Sequence, residues 1–175
     1  SFLIKFSRLM RIYLDHSQQD QVLLSEEINA LNIYLELEKN RFEDALDYEI
    51  AISKDLKTNQ IKIPSLFIQP YVENAIKHGL LHKKGAKQLK ISFKQQEDFI
   101  CRKIKDNGIG VENAQRINRR QLTKHKSFAL DANEERIHLY NRLKDYNIEV
   151  NLKKAVEDEE NPGTLVTLKI PINLK

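Results

Sequence analysis

Gln69-Pro70-Tyr71-Val72-Glu73-Asn74-Ala75-Ile76-Lys77-His78-Gly79 packs a carboxylate, a carboxamide, an ammonium and an imidazole between Glu73 and His78. Val72, Ala75 and Ile76 stand at helical spacing and can face a core. Glu73, Asn74, Lys77 and His78 then project towards the other side of the helix or its edges. Pro64 opens the segment, and Pro70, which has no amide donor, kinks the helix or marks its true start. Gly79 suits the left-handed position just past a helix end. A helix that buries one flank and offers metal- and phosphate-seeking groups on the other suggests a nucleotide site.

Downstream, Leu89, Ile91 and Phe93 alternate with Lys90, Ser92 and Lys94, the period of a half-buried strand. Gln95 to Asp98 forms a turn into a second strand over Phe99 to Lys105. That strand runs into Asp106-Asn107-Gly108-Ile109-Gly110. A carboxylate fixed at a strand end can accept a hydrogen bond from an exocyclic amine, and the glycines let backbone approach a ligand. The same five residues also read as a plain Asn-Gly turn. Residues 111–130 carry five basic side chains (Arg116, Arg119, Arg120, Lys124, Lys126) against Glu112. With no convincing periodicity after Arg120, this region reads as a loop. Asp131-Ala132-Asn133-Glu134 resembles a capping box ahead of a helix with Ile137, Leu139, Tyr140, Leu143 and Tyr146 on its apolar side. Ile148, Val150 and Leu152 make a strand, Glu157 to Gly163 an acidic turn, and Leu165 to Ile170 a final strand stopped by Pro171.

Upstream, residues 1–16 read as a helix with a wide apolar stripe (Phe2, Phe6, Leu9, Tyr13), ended by the polar Ser17-Gln18-Gln19-Asp20. Ser25 reads as an N-cap, with Glu26 and Glu27 complementing the dipole of a second helix that runs to about Asn40. Leu46, Tyr48, Ile50 and Ile52 alternate with polar or small residues as a strand. Strands arriving in adjacent pairs predict an α+β two-layer sandwich. Its sheet would be mixed and mainly antiparallel, with helices on one face. Residues 1–40 would form a helical region and connector, and residues 41–175 the main domain.

At 175 residues and 41% hydrophobic content the chain can bury one core. No apolar run approaches the roughly 20 residues of a membrane span. The charge-broken start is no secretory signal, and Ser1 in place of Met is in keeping with a fragment. The lone Cys101 excludes an internal disulfide and reads as a buried thiol of a reducing compartment. The net charge of +4 is modest.

Asn74 offers a neutral hard oxygen, and a Mg²⁺ ion on nucleotide phosphates needs only one or two protein ligands. Lys77, one turn on, can meet phosphate as a point charge. Taken singly, each residue also has an ordinary surface role.

The order of these elements resembles the ATP-binding domain of the GHKL superfamily, which includes gyrase, the heat-shock chaperone, histidine kinases and MutL. It comprises Asn-x-x-Lys-His on a helix, Asp-x-Gly-x-Gly after a hairpin, a basic segment, and Gly163-Thr164 before a final strand. Residues 66–79 look like the N box of LytS/YehU-type sensor histidine kinases, and Tyr34-Leu35-Glu36-Leu37-Glu38-Lys39-Asn40-Arg41-Phe42 matches the pattern upstream of it.

The resemblance implies ATP and Mg²⁺ as cofactors, with the fold a left-handed βαβ-type sandwich. It makes Asn74 the metal ligand, puts Lys77 at the phosphates and His78 near phosphates or ribose, and has Glu73 orient the metal shell. Asp106 would bind the adenine amine with Thr164 behind it, and Gly108 and Gly110 would border a lid over residues 111–130. Ala129 and Leu130 would lie at the lid's end, and Arg136 would either assist or form a surface salt bridge. A response regulator and a second copy of the parent are the implied partners. Nucleic acid is not among them, and the region would be cytoplasmic, with membrane contact only through segments outside this chain.

Three departures stand out. Ala129 occupies a position where glycine is expected. No Asn-Pro-His-Phe acceptor motif is present, and His16 is a poor substitute. Pro70 stands four residues before Asn74, where hydrolysing relatives keep a water-activating glutamate, yet phosphoryl transfer asks mainly for positioning and charge neutralisation. Two rival readings are a nucleotide-binding regulatory module without transfer activity and, more remotely, a basic nucleic-acid-binding protein.

Overall fold

The computed structural model describes residues 1–43, 45–120, 128–143, 146–158 and 160–172. In chain order the elements are α1 (Phe2–Ser17), β1 (Gln21–Leu23), α2 (Leu24–Arg41), β2 (Leu46–Ile52), β3 (Lys62–Pro64) and α3 (Gln69–Asn74). The last runs straight into a π-helix over Ala75–Leu80. Then come β4 (Lys87–Gln96), β5 (Phe99–Asp106), α4 (Gly110–Arg120), α5 (Phe128–Leu143), β6 (Glu149–Lys154) and β7 (Thr164–Pro171).

The main sheet has the order β2-β4-β5-β7-β6. Its β2–β4 pair is parallel and the other neighbours are antiparallel. Parallel neighbours need a crossover, and the segment between β2 and β4 carries α3. Leu89, Ile91 and Phe93 of β4, Ile100 and Ile104 of β5, and Val166, Leu168 and Ile170 of β7 are buried on one face. Lys90, Lys94, Lys103 and Lys105 alternate with them and stay exposed. A one-residue slip would turn those lysines into the core, so the pattern itself holds the register. Against the buried face pack Leu31 and Leu35 of α2 and Val72 and Ile76 of the α3 run, all within one hydrophobic cluster. Each such aliphatic side chain contributes about 1.5–3 kcal/mol. This is the expected α+β sandwich with a mainly antiparallel sheet.

Local expectations fail in four places. β1 pairs antiparallel with β3, a ribbon of three-residue strands too short to show a period. The ribbon starts α2 two residues early, with Leu23 and not Ser25 at the N-cap. The Leu24 and Ser25 amides donate to the Ile61 and Thr58 carbonyls, and the Leu23 amide donates to the Glu26 carboxylate at 2.9 Å. Ser25 is therefore inside the helix and not its N-cap. The basic segment is helical from Gly110 to Arg120, with few apolar residues to betray it, while residues 121–127 lie outside the described residues. α5 begins at Phe128, so Asp131-Ala132-Asn133-Glu134 is helix interior. There, Asn133 Nδ2 donates across the core to the Phe67 carbonyl at 3.1 Å instead of capping. Tyr146 falls beyond α5, buried and stacked on Tyr140. Cys101 is a buried free thiol, as expected. Among the described residues no helix is long and apolar enough to cross a membrane.

Candidate functional site

Pro70 sits in the first turn of α3, where its missing amide costs nothing. From Ala75 the helix widens into a π turn, a form frequent at functional sites. Gly79 lies inside that turn, not in a left-handed position beyond it. Its smallness serves packing: a Cβ on Gly79 would stand 3.0 Å from Asp106 Oδ1. The Gly79 carbonyl accepts the Ile109 amide at 3.2 Å, tying the helix to the loop after β5.

Asp106 ends β5 directly opposite Thr164, the first residue of β7. Its Oδ1 accepts the Gly108 amide at 2.8 Å, and Thr164 hydrogen-bonds to it through both backbone and side chain. Burial still pushes the carboxyl up to about 6, against the pull of those hydrogen bonds. The Gly108 carbonyl accepts the Gly163 amide at 2.9 Å, which closes the loop onto β7. Asn107 anchors the other side, its Oδ1 accepting the Gln88 amide and its Nδ2 donating to the Ala86 carbonyl.

Asn74, Ala75, His78 and Gly79 face Asp106 and Thr164 across a narrow cleft whose third wall is Gly110, Val111 and Ala114 of α4. Its volume is about 20 Å³, room for roughly one water. Burial, with His82 and Lys77 nearby, holds the His78 imidazole below its usual range. Asn74, His78, Asp106, Gly110 and Thr164 are thus brought together, with Gly108 immediately behind Asp106.

Glu73 and Lys77 lie elsewhere. Lys77 Nζ is 2.8 Å from Glu73 Oε2, and Glu73 Oε1 accepts from Gln69 Nε2 at 3.1 Å. Both line a groove with Phe6 and Tyr13 of α1 and Tyr34 and Glu38 of α2. Residues four apart stack on a helix, so 73 with 77 and 74 with 78 occupy two separate stripes. The expectation had all four projecting together.

Ala129 and Leu130 fall in the first turn of α5, and their side chains lie outside the described residues. Among the described residues Arg136 joins no salt bridge; its guanidinium donates to the Ser65 carbonyl at 2.9 Å and lies over the Tyr140 ring. His16 is 5% exposed, which removes it from any surface exchange of phosphate. Sequence reasoning passed over Glu27 and Arg102, both fully buried. Glu27 read as a dipole residue of the first turn, and Arg102 breaks an otherwise apolar stripe of β5.

The donor set suits Mg·ATP. Among the described residues no group of three or more His, Cys, Asp or Glu could hold a bare metal ion. A single carboxamide such as Asn74 is in keeping with an ion carried on phosphates. The buried Asp106–Thr164 pair is a fixed polar reader in an apolar wall.

A family profile described as Histidine kinase matches residues 1–46. The chain is 28% identical over 174 residues to the sensor protein LytS of Bacillus anthracis, covering 97% of this chain and 28% of that protein. It is 38% identical over 86 residues to the sensor histidine kinase BtsS of Escherichia coli, covering 49% of this chain and 15% of that one. The chain therefore spans little more than a quarter of the length of the LytS protein it matches.

Among solved structures, the mycobacterial sensor histidine kinase MprB superposes with a TM-score of 0.58 at 14% identity, over 89% of this chain and 98% of that one. The catalytic domain of histidine kinase ThkA gives 0.55 at 10%, over 89% and 97%. ThkA in complex with the response regulator protein TrrA gives 0.54 at 15%, over 98% and 48%. In sequence this chain is similar to LytS sensor proteins along nearly its whole length, and it shares the fold of histidine kinase catalytic domains.

Proposed function

We propose that the chain is the ATP-binding catalytic part of a two-component sensor histidine kinase, transferring the γ-phosphoryl of Mg·ATP to a histidine outside this chain and thence to a response regulator. The observation that carries this reading is the Asp106–Thr164 pair facing Asn74 and His78 across one cleft. Asp106 would accept a hydrogen bond from the adenine amine, with Thr164 holding the carboxylate in place. Asn74 would ligate Mg²⁺, which when bound neutralises phosphate charge. His78, whose imidazole burial shifts towards the neutral form, would offer a hydrogen bond to ribose or phosphate.

Lys77 would meet the phosphates after leaving Glu73, and Glu73 would set where that lysine rests. Gly108 and Gly110 let backbone turn under the nucleotide, and α4, with Ala129 and Leu130 beyond it, would form the lid. Pro70 supplies no base, which favours transfer over hydrolysis. ThkA's complex with TrrA supports a response regulator as partner, and the parent would act as a homodimer from the cytoplasm.

Calorimetry with Mg·ATP tests the site. Asn74→Ala should lose about tenfold or more in Mg²⁺-dependent affinity while keeping the wild-type melting temperature, and Asp106→Asn should weaken adenosine more than inorganic triphosphate. Unchanged ATP affinity in Asn74→Ala would sink the metal role. Adding the histidine-bearing segment in trans should yield phosphohistidine; tight binding without it would leave a regulatory module.

A further inference from the structure

Three buried polar side chains lie outside the cleft, between the helices and the sheet. Glu27, in the first turn of α2, is 1% exposed. Its Oε1 accepts the Ile68 amide at 3.1 Å, and Ile68 is the residue from which α3 starts. Its Oε2 lies 3.9 Å from Nδ1 of His16 in the last turn of α1. Arg102 reaches the same region from β5. It is 0% exposed, its guanidinium is 5.8 Å from the Phe93 ring, and none of its three nitrogens has a hydrogen-bond partner among the described residues.

Burying a guanidinium or a carboxylate costs several kcal/mol unless an opposite charge answers it. Burial pushes the Glu27 carboxyl up and the Arg102 guanidinium down to about 10, and each charge offsets only part of the other's cost. A hydrophobic pair would fill the space at less cost, so the carboxylate's presence calls for a task that leucine could not do. That task is visible in its hydrogen bond to Ile68. The helix dipole and the orphan amides of a first turn both favour a carboxylate there. Asn74 follows six residues later on the same helical run.

We propose that Glu27 is a positioning residue, fastening the start of α3 to α2 and so fixing where Asn74 stands relative to the sheet-borne Asp106. The proposal rests on the nucleotide reading of the cleft. It makes the end of α1, the start of α2 and the nucleotide helix converge on one carboxylate. A shift of α1 or α2 is then transmitted to the Asn74 side of the cleft before it reaches the Asp106 side.

The test separates the two sides by ligand. Mg·ATP reports on Asn74 and Asp106 together, whereas adenosine reports on Asp106 and Thr164. Wild-type chain is titrated with both ligands first; absence of Mg·ATP binding there defeats the nucleotide reading itself. Glu27→Leu should then lose about tenfold in Mg·ATP affinity and less than about twofold for adenosine, since a hydrogen bond to a charged group is worth roughly that much. Glu27→Gln, which still offers an acceptor to the Ile68 amide, should stay within about threefold of wild type for both ligands. If Glu27→Leu does not fold, Glu27→Asp carries the test: it withdraws the carboxylate by one methylene, keeps the charge beside Arg102, and should show the same selective loss. A folded Glu27→Leu or Glu27→Asp that loses both ligands equally, or neither, overturns the proposal.

Discussion

A Cβ on Gly108 would stand 2.4 Å from the carbonyl carbon of Gly79. Both residues meet through backbone, so neither can rotate away. The π turn after α3 and the loop after β5 touch here through main chain. Gly108→Ala should therefore lower stability by on the order of 3 kcal/mol and abolish nucleotide binding. Thermal melting of the variant checks this, and a wild-type melting temperature would mean the two segments can part freely.

Gly163 makes a comparable contact from the start of β7, with φ at +61°; a Cβ there would stand only 2.2 Å from the Asp106 carbonyl oxygen. Gly163→Ala should be at least as damaging as Gly108→Ala, because backbone strain adds to the clash. Equal melting of Gly163→Ala and wild type would refute that ordering.

Asp106 gives the site a pH signature. Its carboxyl is raised from 3.8 to about 6 by burial. A group with a raised folded-state value contributes stability that is fully present below 3.8 and is lost as pH rises through about 6, a swing of about 3 kcal/mol. Asp106→Asn should flatten this part of the stability profile. Adenine binding runs the other way, since the amine needs an ionised acceptor. Affinity should be level above pH 6 and fall towards tenfold per unit below it, with protons released on binding near pH 6. Calorimetry in buffers of different ionisation enthalpy measures both, and pH-independent affinity would rule out Asp106 as the amine's acceptor.

Lys87 holds the far end of the π-helix. Its buried ammonium donates to the Leu80 carbonyl at 2.8 Å and to the Lys83 carbonyl, with the Phe42 ring 5.5 Å away. Lys87→Met keeps the stem but leaves those carbonyls unanswered, and should cost about 2 kcal/mol. Denaturant unfolding gives the number; a change below about 0.5 kcal/mol would show that water replaces the ammonium.

Lys77 and Glu73 form a half-exposed pair, worth little to stability. Glu73→Gln should leave melting unchanged and free Lys77, so Mg·ATP affinity should hold or tighten by up to about threefold at low salt. Lys77→Met should weaken ATP about tenfold and adenosine hardly at all. If Lys77→Met binds ATP like wild type, the lysine belongs to the α1–α2 groove alone.

The sandwich was legible because its signal is periodic. Leu89-Lys90-Ile91-Ser92-Phe93-Lys94 can bury only one face, and that single constraint sets strand, register and layer together. Asn74, Asp106 and Thr164 were legible through the order of their motifs. The ribbon of β1 and β3 was not, since three residues show no period, and neither was α4, where Val111, Ala114 and Ile117 do sit at helical spacing but a basic run with no period beyond Arg120 makes the whole segment read as a loop.

Residues 69–79 hold both kinds of information. Their composition and spacing determined a helix with metal- and phosphate-seeking groups, kinked at Pro70 or starting there. Tertiary structure alone decided which of those groups share a cleft. A helix sorts side chains by angle, and only the neighbours packed against each stripe say what it meets. Asn74 and His78 meet Asp106, Glu73 and Lys77 meet α1 and α2, and Gly79 serves the close approach of Gly108. Glu27 likewise reads only as a first-turn carboxylate complementing the α2 dipole until the fold buries it against the Ile68 amide, because burial is a property of the whole fold and not of the residue.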